Sequence, residues 1–369
     1  MPRTARAVAV EVLVHGPQSR ARLAARMGLS PASLTRLVKP LVSSGVLVEA
    51  GAVRTSQLGR SSMPLDVLAD DYRFAGVKLT QDTAYAVLTD LRATVLAELS
   101  VPLPPRTDPE SVVRAVRGVV EDLQASEGRS LDGVGLTLGG RVRDGVVVHS
   151  PYLQWRDVPL KSLLNGALGE AGHVENDVVG LTEAEHWFGR GRGHADFALL
   201  TVGAGIGYGL VLGGTLVPVE TGPAAHLPID AGGPPCPEGH RGCLASFATT
   251  GAITAAVSVG HRRPLAFPEV VALADGGDAI ALRVLSEAAW AVGRAAQIIA
   301  DVTSVRRIIL SGEAVLAESA HEPLTAGLTA YHSGEAEAVD VVTHPVDFFE
   351  WARGAAVVAI RREFPRGRR

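Results

Sequence analysis

Residues 17–49, PQSRARLAARMGLSPASLTRLVKPLVSSGVLVE, hold two short helical patterns joined by a turn and followed by a strand pattern, which leaves few folds open to this end of the chain. Leu23, Ala24 and Met27 make one apolar stripe. Gly28 suits a left-handed turn, and Ser30 with Pro31 is an N-cap followed by a first-turn proline. The second helix is expected to bury Leu34, Leu37, Val38 and Leu41, which puts Ser33, Arg36 and Lys39 on the opposite face and Thr35 at its edge. Pro40 should interrupt that helix with a kink that leaves its first two turns as the recognition segment, because an interior proline costs ~3 kcal/mol and disfavours helical geometry just before it. Short hydroxyls and long cations on one exposed helix face suit base edges and phosphates, so the segment reads as a DNA-binding head. The following VLVEAGAVRTSQLGRSSMPLDV reads as a strand, a loop and a returning strand. It is a wing from which Arg54 and Arg60 can reach backbone or minor groove.

Charge agrees with this. Residues 1–62 hold nine Lys or Arg against two acids, a net of +7, while the other 307 residues carry 26 bases and 37 acids, a net of −11. A basic head on an acidic body suits a phosphate partner at one end only. The alternative is a helical cap whose basic face is merely solvated.

With 369 residues and 47% hydrophobic content, the chain can bury large cores and suggests two or three domains. Its two cysteines, Cys236 and Cys243, are too few for a secreted disulfide framework. The apolar patch near the N-terminus is broken by Glu11 and has no cleavage site, and no run reaches membrane-spanning length. A cytoplasmic protein with no membrane partner is expected.

From about residue 73 the pattern becomes strands in series, then helix and strand in alternation: FAGVKL through VPL, helix SVVRAVRGVVEDLQAS, strand LDGVGLTLGG, and strand HVEND feeding helix VVGLTEAEHWFG. A second block repeats the theme, with a Gly-rich bend, a Gly213-Gly214 hairpin, long apolar helices and strand RRIILSG. The expected organisation is an α/β chain with a winged helix-turn-helix at 1–68, one lobe at 69–190, a second at 191–345, and a C-terminal helix at 346–369 packing back on the body. A cleft between two such lobes is a natural place for a small ligand.

GRSSMPL at the linker, SPYLQWRDVPL, VEND, GAGIGYG and the block from His226 to Cys243, in this order and behind such a head, resemble the ROK family (repressors, open reading frames, kinases) over essentially the whole chain. The resemblance implies a two-lobed actin-like, RNase H-like body that either phosphorylates sugars or senses them. It also implies that kinases of the family carry D-x-G-G-T where this chain reads GVKLTQDT. Lys78 stands at the Asp, Thr80 and Gln81 replace glycines, and Ala204 replaces a phosphate-contacting Thr of the second loop. ATP binding and catalysis are therefore expected to be absent. The glycines of that second loop also make sense as a tight bend between strands.

By the same resemblance Asn176 and Asp177 bind sugar hydroxyls, although an Asx cap on the next helix explains them equally well. Tyr152, Pro223 and Ala245 stand where the family has polar sugar contacts, and His226 is kept. A plain monosaccharide then loses three hydrogen bonds of ~0.5 to 1.5 kcal/mol each. Tyr152 either stacks on a ligand or fills the pocket. The family's zinc ligands map onto His226, Cys236 and Cys243, with Glu238 in place of the fourth Cys and His240 as a substitute. A metal-free loop with two small buried thiols is the alternative. The resulting expectation is a repressor of carbohydrate-related genes. It binds an operator in double-stranded DNA as a homodimer or homotetramer and is modulated by a sugar or derivative between its lobes. The alternatives are a ligand-independent DNA binder with a degenerate pocket, or an ATP-dependent sugar kinase.

Overall fold

The computed structural model describes residues 2–50, 63–103, 108–169, 172–218, 222–312, 321–331 and 338–365. The positions proposed for the wing, Arg54 and Arg60, lie outside the described residues. Two compact units divide the chain: the first takes residues 1–138, 142–180 and 352–369, the second residues 139–141 and 181–351.

The first unit begins with a three-helix head, α1 (Arg3–His15), α2 (Arg20–Arg26) and α3 (Pro31–Ser43), followed by the short antiparallel pair β1 (Val48–Glu49) and β2 (Leu65–Asp66). Ser19 Oγ accepts from the Arg22 amide and Ser30 Oγ from the Ser33 amide, so both α2 and α3 start at a serine cap. Gly28 takes φ +61° at the turn between them. Leu34, Val38 and Leu41 are buried with Val8, Val12, Leu13 and Leu23, whereas Leu37 is only half-buried. The expected break at Pro40 is corrected. α3 runs through it to Ser43, because Pro40 is exposed and lies only one turn from the end, where few bonds depend on its missing N–H.

After the head come β3 (Phe74–Leu79), β4 (Thr83–Thr89), β5 (Val95–Pro102), α4 (Pro109–Glu127) and β6 (Gly133–Leu138). They are followed by β7 (Arg141–Arg143), β8 (Val146–Ser150), β9 (Trp155–Val158), α5 (Leu160–Leu168) and β10 (Gly172–Asn176). The main sheet has the order β10-β6-β3-β4-β5; β3, β6 and β10 are parallel, and β3-β4-β5 is an antiparallel meander. Valines of α4 and leucines of α5 form one core with this sheet. β3 and β6 are buried at every position, which explains why their runs are apolar apart from Lys78 and Thr137.

α6 (Asp177–Phe188) carries the chain into the second unit. There follow β11 (Phe197–Val202), β12 (Ile206–Leu212), β13 (Thr215–Val217), α7 (Leu244–Ala248), α8 (Thr250–His261), α9 (Phe267–Asp275), α10 (Ala279–Thr303), β14 (Arg307–Gly312), α11 (His321–Thr329) and β15 (Asp340–Pro345). This sheet has the order β13-β12-β11-β14-β15, with β11, β14 and β15 parallel. Gly213 and Gly214 make the β12–β13 turn at φ +56° and +69°.

α12 (Phe348–Glu363) then returns to the first unit and lies on its sheet. A Cβ at Gly135 would stand 1.8 Å from the Ala355 carbonyl oxygen, and one at Gly76 would stand 2.0 Å from that of Ala352. Helix and sheet backbones therefore touch where neither strand residue has a side chain.

Candidate functional site

On α3 of the head, Thr35, Arg36 and Lys39 are exposed and Ser33 is half-buried. The Thr35 hydroxyl donates to the Pro31 carbonyl at 2.8 Å, and the Ser30 hydroxyl lies 3.0 Å from that of Ser33. Both hydroxyls thus serve the helix start, and the side chains that reach outward with donors to spare are Arg36 and Lys39. Among the described residues, no hydrogen bond or ion pair occupies either. Three other cations of the head are tied down: Arg20 to Glu49, Arg26 to Glu11, and Arg6 to the Arg361 carbonyl.

In the first unit, Asn176 ends β10 and Asp177 opens α6. Asn176, 5% exposed, accepts from the Val179 amide at 3.2 Å through Oδ1 and so caps α6. Asp177 Oδ1 accepts from the Val178 amide at 2.9 Å, and Asp177 Oδ2 is paired with the Lys78 ammonium. That pair is largely shielded, with side chains 7% and 12% exposed. Sequence reasoning placed Lys78 where kinases have an aspartate but missed that it would claim Asp177. The signal was a lone lysine in the apolar run FAGVKL.

Thr80 is equally committed. Its hydroxyl meets Asp82 Oδ1 and the Thr83 carbonyl at 3.0 Å each, closing the β3–β4 turn. Tyr152 lies in the turn between β8 and β9 and is 39% exposed.

In the second unit, the bend at Ala204 is closed by Gly203 donating to the Gly205 carbonyl at 3.0 Å, while the Gly203 carbonyl accepts from the Thr250 amide at the start of α8. Gly209 has a packing reason, since a Cβ there would stand 2.0 Å from Thr182 Oγ1.

His226 closes a short 3-10 turn, Pro223–His226, and Cys236, His240 and Cys243 come to it from the loop that follows. The four ligand atoms lie within 4.8 Å of one another, and His226 Nδ1 is 3.7 Å from each sulfur. Zinc bonds of about 2.0–2.3 Å to nitrogen and sulfur give tetrahedral edges of about 3.3–3.8 Å, so a two-His, two-Cys set of this size suits zinc.

The fourth member of the cluster is His240, the substitute that the sequence offered, and Glu238 is not among the grouped residues. The cause is the tight turn 236–240, closed by Cys236 N–H to the His240 carbonyl at 2.7 Å and Gly239 N–H to the Cys236 carbonyl at 3.0 Å. It leaves Glu238 exposed at the apex. Burial pushes the Cys236 thiol up from its ordinary range. The loop is framed by backbone: Ile229 N–H donates to the Gly242 carbonyl, Gly242 N–H to Pro234, and Leu244 N–H to Leu227, at 2.8–2.9 Å. Gly242, at φ +66°, has no room for a Cβ, which would stand 1.5 Å from the Asp230 carbonyl oxygen.

An α/β body with two mixed five-stranded sheets defines a fold class shared by sugar kinases and transcriptional regulators. The ROK family profile matches residues 74–362, and the chain belongs to the ROK family. It is 27% identical over 316 residues to the DNA-binding transcriptional dual regulator NagC of Escherichia coli K12, covering 81% of this chain and 77% of NagC. Among solved structures, a ROK family transcriptional regulator homologous to the E. coli Mlc protein matches with TM-score 0.77 at 21% identity, over 98% of this chain and 95% of that one. A ROK hexokinase from Thermus thermophilus matches with TM-score 0.67 at 27% identity, over 79% of this chain and 98% of its own. No helix among the described residues is long and apolar enough to cross a membrane.

Proposed function

We propose that the chain is a DNA-binding transcriptional regulator, a repressor of carbohydrate-related genes. Its head is a winged helix-turn-helix in which α3 enters the major groove. The observation that carries this is the exposed pair Arg36 and Lys39 on a serine-capped helix of a basic head. The comparisons support it: the likeness to a regulator fold spans 98% of the chain, and the likeness to a hexokinase stops at 79%. One short helix reads few bases, so a homodimer or homotetramer presenting paired heads to a palindrome fits the geometry of such readers. The effector is a sugar or sugar derivative that favours one state of the protein over another. Zinc at His226, Cys236, His240 and Cys243 holds the loop rigid and does no chemistry. The protein works in the cytoplasm, where the two thiols stay reduced.

A second reading is favoured by the internal engagement of Asn176 and Asp177: a regulator that binds DNA without a sugar. Phosphoryl transfer is the least supported. A general base must be free to take a proton from the sugar hydroxyl, and Asp177 is neutralised by Lys78.

Sequencing of the genomic fragments retained by the purified chain tests the proposal. Enrichment of palindromic sites beside carbohydrate genes is expected, and retention of no fragment at low salt overturns it. Adding a panel of sugars then separates the two regulator readings, since release of the site by one of them excludes ligand independence. Saturable phosphorylation of a hexose with ATP and magnesium would favour a kinase instead.

A further inference from the structure

The turn between β4 and β5 is held more firmly than a surface hairpin requires. Asp90 Oδ1 accepts from the Arg92 and Thr94 amides at 2.8 Å each, and Leu91 and Ala93 are fully buried. Arg92 leaves this turn toward the head. Its Nη2 pairs with Asp66 of β2, and its Nε donates to the Leu13 carbonyl at 3.3 Å. Leu13 lies in the last turn of α1, whose carbonyls have no partner within the helix and face the negative end of its dipole. One planar guanidinium thus caps α1 and holds the strand that closes the head.

From the other side, Arg353 of α12 donates through Nε to the Ala93 carbonyl at 2.7 Å, next to Arg92 in sequence. The chain crosses from the second unit into the first between Trp351 and Ala352, so Arg353 is the second residue past the crossing. The connection runs from α12 to the Ala93 carbonyl, through Arg92, to α1 and β2. Arg6 of α1, bonded to the Arg361 carbonyl, ties the head to α12 a second time.

We infer that Arg92 is a positioning residue: it fixes the orientation of the DNA-binding head on the first unit and passes to it any displacement of α12. The inference rests on the DNA-binding reading for its consequence but not for its geometry. The forked guanidinium is what the position demands, since a lysine places one ammonium where two acceptors in different directions must be met.

The test uses the full chain and its Arg92→Ala and Arg92→Lys variants, with Asp66→Asn as a milder change should Arg92→Ala fold poorly. Hydrogen exchange is measured over residues 13–18 and 63–68, and binding is measured to a palindromic site and to the same site lengthened by about 2 base pairs between its halves. Tenfold faster exchange in both segments is expected for Arg92→Ala, with a smaller rise for Arg92→Lys. Preference for the correctly spaced site should fall at least fivefold, while affinity for a single half-site stays within twofold. Arg353→Ala, remote in sequence from the head, should move the same readouts in the same direction. Unchanged exchange at the junction, or full retention of spacing preference, overturns the inference. A wild-type chain that binds no duplex removes the functional reading instead, and the exchange rates still decide what Arg92 does.

Discussion

Lys78 and Asp177 show how a single replacement, Lys78, redirects a site by engaging a carboxylate the chain has kept. A carboxylate with one oxygen on a helix amide and the other on an ammonium has little left for a ligand, and its charge is already balanced. Removing one member of so shielded a pair strands the other. Lys78→Met should therefore lower stability by about 3 kcal/mol, and adding Asp177→Asn should recover most of it; thermal unfolding of the single and double variants measures both. A second shielded pair responds to pH. The hydrogen bond to Glu185 holds His344 above its ordinary 6.5. Its stabilisation is whole below pH 6.5 and is lost as pH rises through the higher folded value. His173 opposes it, since burial lowers that histidine from 6.5 despite Glu363. Unfolding curves between pH 5 and about 9 should thus show His344→Gln losing less stability on the alkaline side than wild type does.

The elements were legible where periodicity and punctuation agree. The serine caps of α2 and α3, the Gly213-Gly214 hairpin and the buried runs of β3 and β6 follow directly from residue order. β15 was missed because its run, DVVTHP, is short and half-exposed, and becomes a strand through parallel pairing with β14. The continuous α3 was missed because a proline penalty read locally ignores how close the helix end lies. At the metal loop the residue types pointed to the site, and only the turn at 236–240 decided between Glu238 and His240. Metal analysis of purified variants should find full zinc content in Glu238→Ala and a substantial loss in His240→Ala, with thermal unfolding following the metal.

Across the whole molecule, charge is polarised between residues 1–62, of net +7, and a remainder of net −11. DNA affinity should then fall steeply with salt. Lys39→Ala is expected to weaken all duplexes alike and reduce the salt slope by about 1, whereas Arg36→Ala should flatten discrimination between sites by ~1 to 3 kcal/mol; titrations at several ionic strengths separate the two. α12 has a consequence of another kind. The backbone surface that Gly76 and Gly135 leave bare is covered by a segment made only after the entire second unit has been synthesised. On the ribosome, a nascent chain with its head already emerged must wait about 170 residues, from Asn176 to Phe348, for the piece that seals its first sheet. A premature stop before Phe348 would thus yield an unsealed, aggregation-prone product rather than a smaller folded protein.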